Sequence, residues 1–256
     1  MINCFKIKTV FILSCLFLPV FPAFSAAQNE ITFSTPSFSP FYVSDNNKQC
    51  EGVSIALFTK IVRGTNLLFK HVTYPYARIL HSLKTGKLDI ALIFKNSDLA
   101  YYVDYVGPVS KSRVVVLSNS QHTITDYEGL SNLRAIAVIR SAHFDNKFDN
   151  DDSLLKVEVE DYAQAIKMFK LGRVDGVIGS IVGLDYELRM QNIDVNILMN
   201  AYVLGEKELW LHLSKNSKFK QLKSQLSLAL KRNYETDLLY KVYLQYIDEC
   251  LLINEH

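Results

Sequence analysis

The chain has 256 residues, 49% of them hydrophobic, with 28 Lys+Arg against 26 Asp+Glu. That length can build two modest lobes or one large domain, and the near-neutral balance leaves no basic footprint for nucleic acid or an acidic membrane. The six His residues show no HExxH or other metal-like spacing, and GxSxG and CxxC are absent, which argues against zinc hydrolysis, nucleophile-elbow hydrolysis and dithiol redox chemistry.

Residues 1–27 read as a cleavable export signal. Lys6 and Lys8 precede an apolar run from Val10 to Leu18 that continues past Pro19 and Pro22, and Ser25, Ala26 and Ala27 supply the small-residue exit, with cleavage near residue 25 or 27. The run is short and Pro-broken for a membrane span; an uncleaved anchor or a lipoprotein processed at Cys15 are the alternatives. Cleavage removes both lysines, leaving 26 basic and 26 acidic side chains, and removes Cys4 and Cys15. Cys50 and Cys250 remain, as a possible disulfide of an oxidising compartment or as two buried thiols.

Along the remaining 28–256, hydrophobic patterning predicts strands at 30–34, 67–73, 88–93, 113–118, 135–139, 155–159 and 174–178. It predicts helices at 53–63, 76–85, 161–171, 181–190, 217–232 and 236–247. Strands alternating with helices imply an α/β chain with mainly parallel sheets, whose ligands lie beyond the carboxyl ends of the strands. An internal repeat points to two related lobes. Residues 76–92 (YARILHSLKTGKLDIAL) and 162–178 (YAQAIKMFKLGRVDGVI) match at an offset of 86, with Tyr76/Tyr162, Ala77/Ala163, Lys84/Lys170, Gly86/Gly172 and Asp89/Asp175 identical. Each copy reads as an amphipathic helix, a C-terminal glycine and a buried strand. The segments 113–118 and 203–213 are the natural crossings between lobes, which divides the mature chain into 28–115 plus 207–256 and 116–206.

These pieces resemble the extracytoplasmic solute-binding proteins of family 3, which include polar amino-acid receptors of ABC transporters. The resemblance runs from about Glu30 to Tyr246. Its carriers are Glu51-Gly52-Val53-Ser54, Gly86-Lys87-Leu88-Asp89, Tyr105-Val106-Gly107-Pro108-Val109, the stretch Leu130 to Val138, and Gly172-Arg173-Val174-Asp175. It implies a two-lobed periplasmic-binding-protein-like fold of type II, with a two-strand hinge and closure over a small molecule. It also implies a periplasmic monomer, with no cofactor, that hands its ligand to a membrane permease. A sensor protein as partner is the alternative, and a small dehydratase-like enzyme on the same fold the more distant one.

The departures bear on the ligand. The Arg that grips an α-carboxylate in amino-acid receptors falls, by count, at Ala100, and the Asp that holds the α-ammonium falls at Ser180. Arg78, in the first turn after Pro75, is the replacement expected to meet an anion, a structural acid or solvent. Phe38, Phe41, Tyr74, Tyr76 and Phe94 sit at strand ends, where rings can line a slot. Arg140 and Ser141 follow the strand at 135–139 and approach a helix start suited to an anion. His143 reads as an exposed loop residue. Asp145, Asp149, Asp151 and Asp152 lack the calcium-loop Gly and Glu and read as a solvated acidic loop, and Asp89 and Asp175 as structural residues at strand starts. No metal site is expected.

Overall fold

A computed structural model describes residues 30–44, 50–119 and 123–251; the export segment lies outside the described residues. The strands form one continuous eight-stranded sheet in the order β2-β1-β3-β8-β4-β7-β5-β6. At one end, β1 (Ile31–Ser34) pairs in parallel with β2 (Phe69–His71) and β3 (Ile90–Phe94). At the other, β5 (Ile136–Ile139) pairs in parallel with β6 (Lys156–Val159) and β7 (Gly176–Ser180). Two long strands join the halves. β4 (Val103–Ser118) and β8 (Tyr202–Ser214) run antiparallel from Val103↔Ser214 to Val116↔Tyr202, and each also pairs antiparallel with a strand of one lobe. This is the two-lobed α/β arrangement with a paired-strand hinge.

The helices cover the sheet halves as apolar spacing dictates. α1 (Val53–Val62) buries Val53, Leu57, Phe58 and Ile61, and α2 (Tyr76–Thr85) buries Ile79 and Leu83. In the second lobe α4 (Tyr162–Lys170) and α5 (Ile181–Met190) follow β6 and β7, and α6 (Lys223–Asn233) and α7 (Leu238–Cys250) close the chain against β4. Cys250, at the end of α7, is disulfide-bonded to Cys50 just before α1, with a Cα separation of 5.7 Å.

The repeat has a physical basis in both lobes. Gly86 and Gly172 take left-handed backbone after α2 and α4, with φ of 75° and 63°. Each repeated aspartate then fastens its strand to a neighbour. Asp89 accepts from the Thr32 backbone N–H and hydroxyl at 2.9 and 2.7 Å and from the Ser217 hydroxyl at 2.6 Å. Asp175 accepts from the Arg134 backbone N–H at 2.9 Å and its guanidinium at 3.1 Å.

Three elements differ from the sequence expectation. β4 begins ten residues before 113, because register shifts between Tyr105/Gly107 and Pro108/Ser110 let a proline sit in a paired strand. The helix expected from 217 begins at Lys223, since the Ser217 hydroxyl is drawn to Asp89. The acidic stretch contains a short helix, α3 (Asn146–Asp149), capped by Asp145, which accepts from the Lys147 and Phe148 N–H groups while Phe148 packs inward.

Candidate functional site

The carboxyl ends of β1, β3, β5 and β7 point into the gap between the lobes, as does the N-terminal side of α1, α2 and α4. A cavity of about 40 Å³ lies there, lined among the described residues by Phe38, Phe41, Tyr76, Phe94, Phe144 and Tyr162 as its aromatic wall. Aliphatic side chains of Pro36, Leu92, Ile93, Val114, Ile139, Ala142 and Leu209 complete the apolar surface, and Ser54, His143, Ser180 and Lys207 are its polar members.

The two tyrosines are equivalent residues of the repeat. Each is the first residue of its helix, Tyr76 on α2 and Tyr162 on α4, so the internal symmetry brings them to the same cavity from opposite lobes. Burial pushes the Tyr76 hydroxyl up to about 12, Asn96 opposes the rise, and Tyr162 and Asp98 add to it. Burial likewise raises the Tyr162 hydroxyl. Both therefore stay protonated donors at any physiological pH.

Tyr162 is held by its surroundings. Its hydroxyl accepts from the Ser180 N–H at 3.0 Å, and its ring meets Phe38 of the first lobe edge-on, with centroids 5.5 Å apart. A Cβ at Gly179 or at Gly183 would come within 2.3 Å of the ring, so the tyrosine fits only because both positions lack a side chain. Ser180 caps α5, its hydroxyl accepting from the Gly183 N–H at 3.2 Å. Ser54 differs: its hydroxyl is fully buried on the cavity wall and has no hydrogen-bond partner among the described residues.

A polar lock stands beside the cavity. His143, of the second lobe, places Nε2 3.1 Å from Asp98 of the first lobe and Nδ1 3.5 Å from Asp149. Lys207 on β8 lies in the hinge opposite Ser112 of β4. Its ammonium donates to the His143 carbonyl, burial holds its pKa below the ordinary lysine value, and no carboxylate of the described residues forms an ion pair with it.

The structure thus brings Phe38, Phe41, Tyr76, Phe94 and Ser180 together around the cavity. The other sequence-derived residues stand elsewhere. Arg78 is exposed, with its guanidinium 4.6 Å from the ring centroid of Tyr74; both are away from the cavity lining. Arg140 is exposed and bonded to Glu158 and Glu160 at 3.2 and 2.5 Å. Ser141 is an exposed turn residue at φ 60°. Ala100 is exposed at the end of a short 3-10 turn. Sequence reasoning did not single out Tyr162, Ser54, Phe144 or Lys207 as site residues. For Tyr162 the signal was present: it is the repeat partner of Tyr76.

The sequence profile of the bacterial extracellular solute-binding proteins, family 3, matches residues 31–249. A crystal structure of a mutant of ArgBP from T. maritima superposes with a TM-score of 0.67 at 18% identity, covering 86% of this chain and 96% of that one. The ancestral amino-acid-binding protein AncCDT-1, a precursor of cyclohexadienyl dehydratase, gives 0.66 at 18%, over 85% and 94%. The VFT2 domain of BvgS from Bordetella pertussis gives 0.66 at 18%, over 84% and 92%. At these identities the superpositions show the shared fold. A comparison with curated proteins returns no match.

Proposed function

Because the chain belongs to family 3 of the bacterial extracellular solute-binding proteins, we propose that it captures a small molecule between its lobes outside the cytoplasm and presents the closed form to a membrane transporter. The observation that carries this reading is the meeting of Tyr76 and Tyr162, repeat-related residues of opposite lobes, with Phe38 around one cavity at the strand ends. A ligand held there touches both lobes, so it favours the closed arrangement over the open one by whatever contacts the open one lacks. The Phe38–Tyr162 and Asp98–His143 contacts act in the same direction. The Cys50–Cys250 disulfide suits an oxidising compartment, and no helix of the described residues is long and apolar enough to cross a membrane.

The site does not support an ordinary α-amino acid as ligand. No carboxylate of the described residues lines the cavity, and the Ser180 hydroxyl is committed to its helix cap. The test is a thermal-shift screen of the mature chain against organic acids, amines and amino acids. At least one compound should raise the melting temperature, and the shift should vanish in Tyr76→Ala. A shift that survives both Tyr76→Ala and Phe38→Ala would place the site elsewhere, and a screen without any shift would reject the reading. Uptake of a labelled hit that is lost on deleting the gene supports a transporter partner. Undiminished uptake with altered gene expression would instead assign the chain to a sensor.

A further inference from the structure

We propose that the cleft takes a small apolar monocarboxylate lacking an α-ammonium group, with the Lys207 ammonium as anion partner and the Ser54 hydroxyl as a second donor. This rests on reading the cleft as the binding site. Three observations carry it.

The first is the charge of the wall. Lys207 and His143 are the ionisable nitrogens on it, and no carboxylate of the described residues lines it. Asp145 and Asp149 act on Lys207 through charge without forming an ion pair with it; they line the neighbouring pocket that Lys207 also borders, and Asp149 and Asp98 are engaged with His143. A half-buried ammonium whose near partner is a single backbone carbonyl keeps hydrogens free for an anion. A ligand ammonium in the same space would meet the like charge of Lys207 and find no carboxylate on the wall, only neutral hydroxyl oxygens, and a buried charge without a counter-charge is costly.

The second is the Ser54 hydroxyl, which has no partner among the described residues. It is fully buried and faces an otherwise apolar cavity, a loss that a ligand oxygen would repair. The third is Tyr162, whose ring fills the space beside Gly179 and Gly183 and occupies the Ser180 N–H. What remains is an aromatic and aliphatic slot with one cationic end. That end belongs to a hinge strand, so ion pairing there couples directly to the lobe arrangement. A ring-sized carboxylate needs more room than the cavity offers, so its entry must part Phe38 from Tyr162.

Isothermal titration of the mature chain with benzoate, isovalerate, benzamide, benzylamine and L-phenylalanine tests this. At least one of the two carboxylates should bind, and the amine and the amino acid should not. Lys207→Met should weaken carboxylate binding by about tenfold or more, the scale of a charge-assisted hydrogen bond, and Lys207→Arg should retain it. Circular dichroism and melting temperature establish that both variants fold. Phenylalanine or benzylamine binding as tightly as the carboxylates would overturn the ligand class, as would carboxylate affinity unchanged in Lys207→Met. Such binding, if lost in Tyr76→Ala, leaves the cleft intact as a site. Failure of all five probes also overturns the class, while the broader thermal-shift screen decides separately whether the cleft binds anything.

Discussion

Tyr162 shows how much a single side chain can depend on its neighbours having none. Gly179 lies in β7 and Gly183 in α5, and a Cβ at either would come within 2.3 Å of the ring. Gly179→Ala should therefore destabilise the protein by about 1–3 kcal/mol, the usual cost of overpacking a close-packed interior. Denaturant unfolding should also show that the penalty shrinks sharply in a Tyr162→Ala background, because the two changes share one contact. Glu187 offers a pH signature. Burial, with Asp161 nearby, raises its carboxyl to about 7, above the value it has in the unfolded chain. The folded state thus binds the proton more tightly, so this contribution is full below the ordinary glutamate pKa and is lost as pH rises to about 7. Stability measured from pH 5 to pH 8 should fall less in Glu187→Gln than in the parent; an equal fall would assign the effect to other groups.

At the scale of elements, the repeat explains itself through work done twice. A helix, a left-handed glycine and a strand-opening aspartate recur because each lobe must turn from helix to sheet and fasten the new strand to an existing one. Asp89 does so with three hydrogen bonds, two to Thr32 on β1 and one to Ser217. Asp89→Ala should cost about 3 kcal/mol or more in chemical denaturation, since buried donors lose a charged acceptor. Asp175→Ala should cost less, because its Arg134 partner is largely exposed. Most elements were legible for the same reason: α2 and α5 have the expected ends, and the short parallel strands differ by one or two residues. The first half of β4 was not legible. Gly107 and Pro108 read locally as a break, and only pairing with β8 through two register shifts makes them strand.

For the whole molecule, the disulfide and the hinge set what can move. Cys50 and Cys250 are 200 residues apart in sequence, so the bond closes a loop that includes nearly all of both lobes. Replacing both cysteines by alanine should lower unfolding free energy by about 2–5 kcal/mol, read as a lower denaturation midpoint; an unchanged midpoint would mean that packing of α7 against α1 already fixes the C-terminus. The hinge strands are paired from Val103↔Ser214 to Val116↔Tyr202, interrupted by three register shifts, so lobe movement has to come from bending β4 and β8 together. The contacts to be broken and made are the side-chain pairs Phe38–Tyr162 and Asp98–His143.

The sequence by itself determined the α/β alternation, the two-lobe repeat and the family, and it named four of the six aromatic residues on the cavity wall. These follow from local spacing and from short-range patterns that survive in one dimension. It did not determine which cations face the cleft. The place of Arg78 in the first turn of a helix leaves a ligand anion, a structural acid and solvent all open, and in the structure its side chain lies on Tyr74 at the surface. Nothing in the sequence singles out Lys207 within the 203–213 crossing, and strand pairing places it at the cavity. Side-chain direction and burial are set by contacts between residues far apart in sequence, and only the tertiary structure decides them.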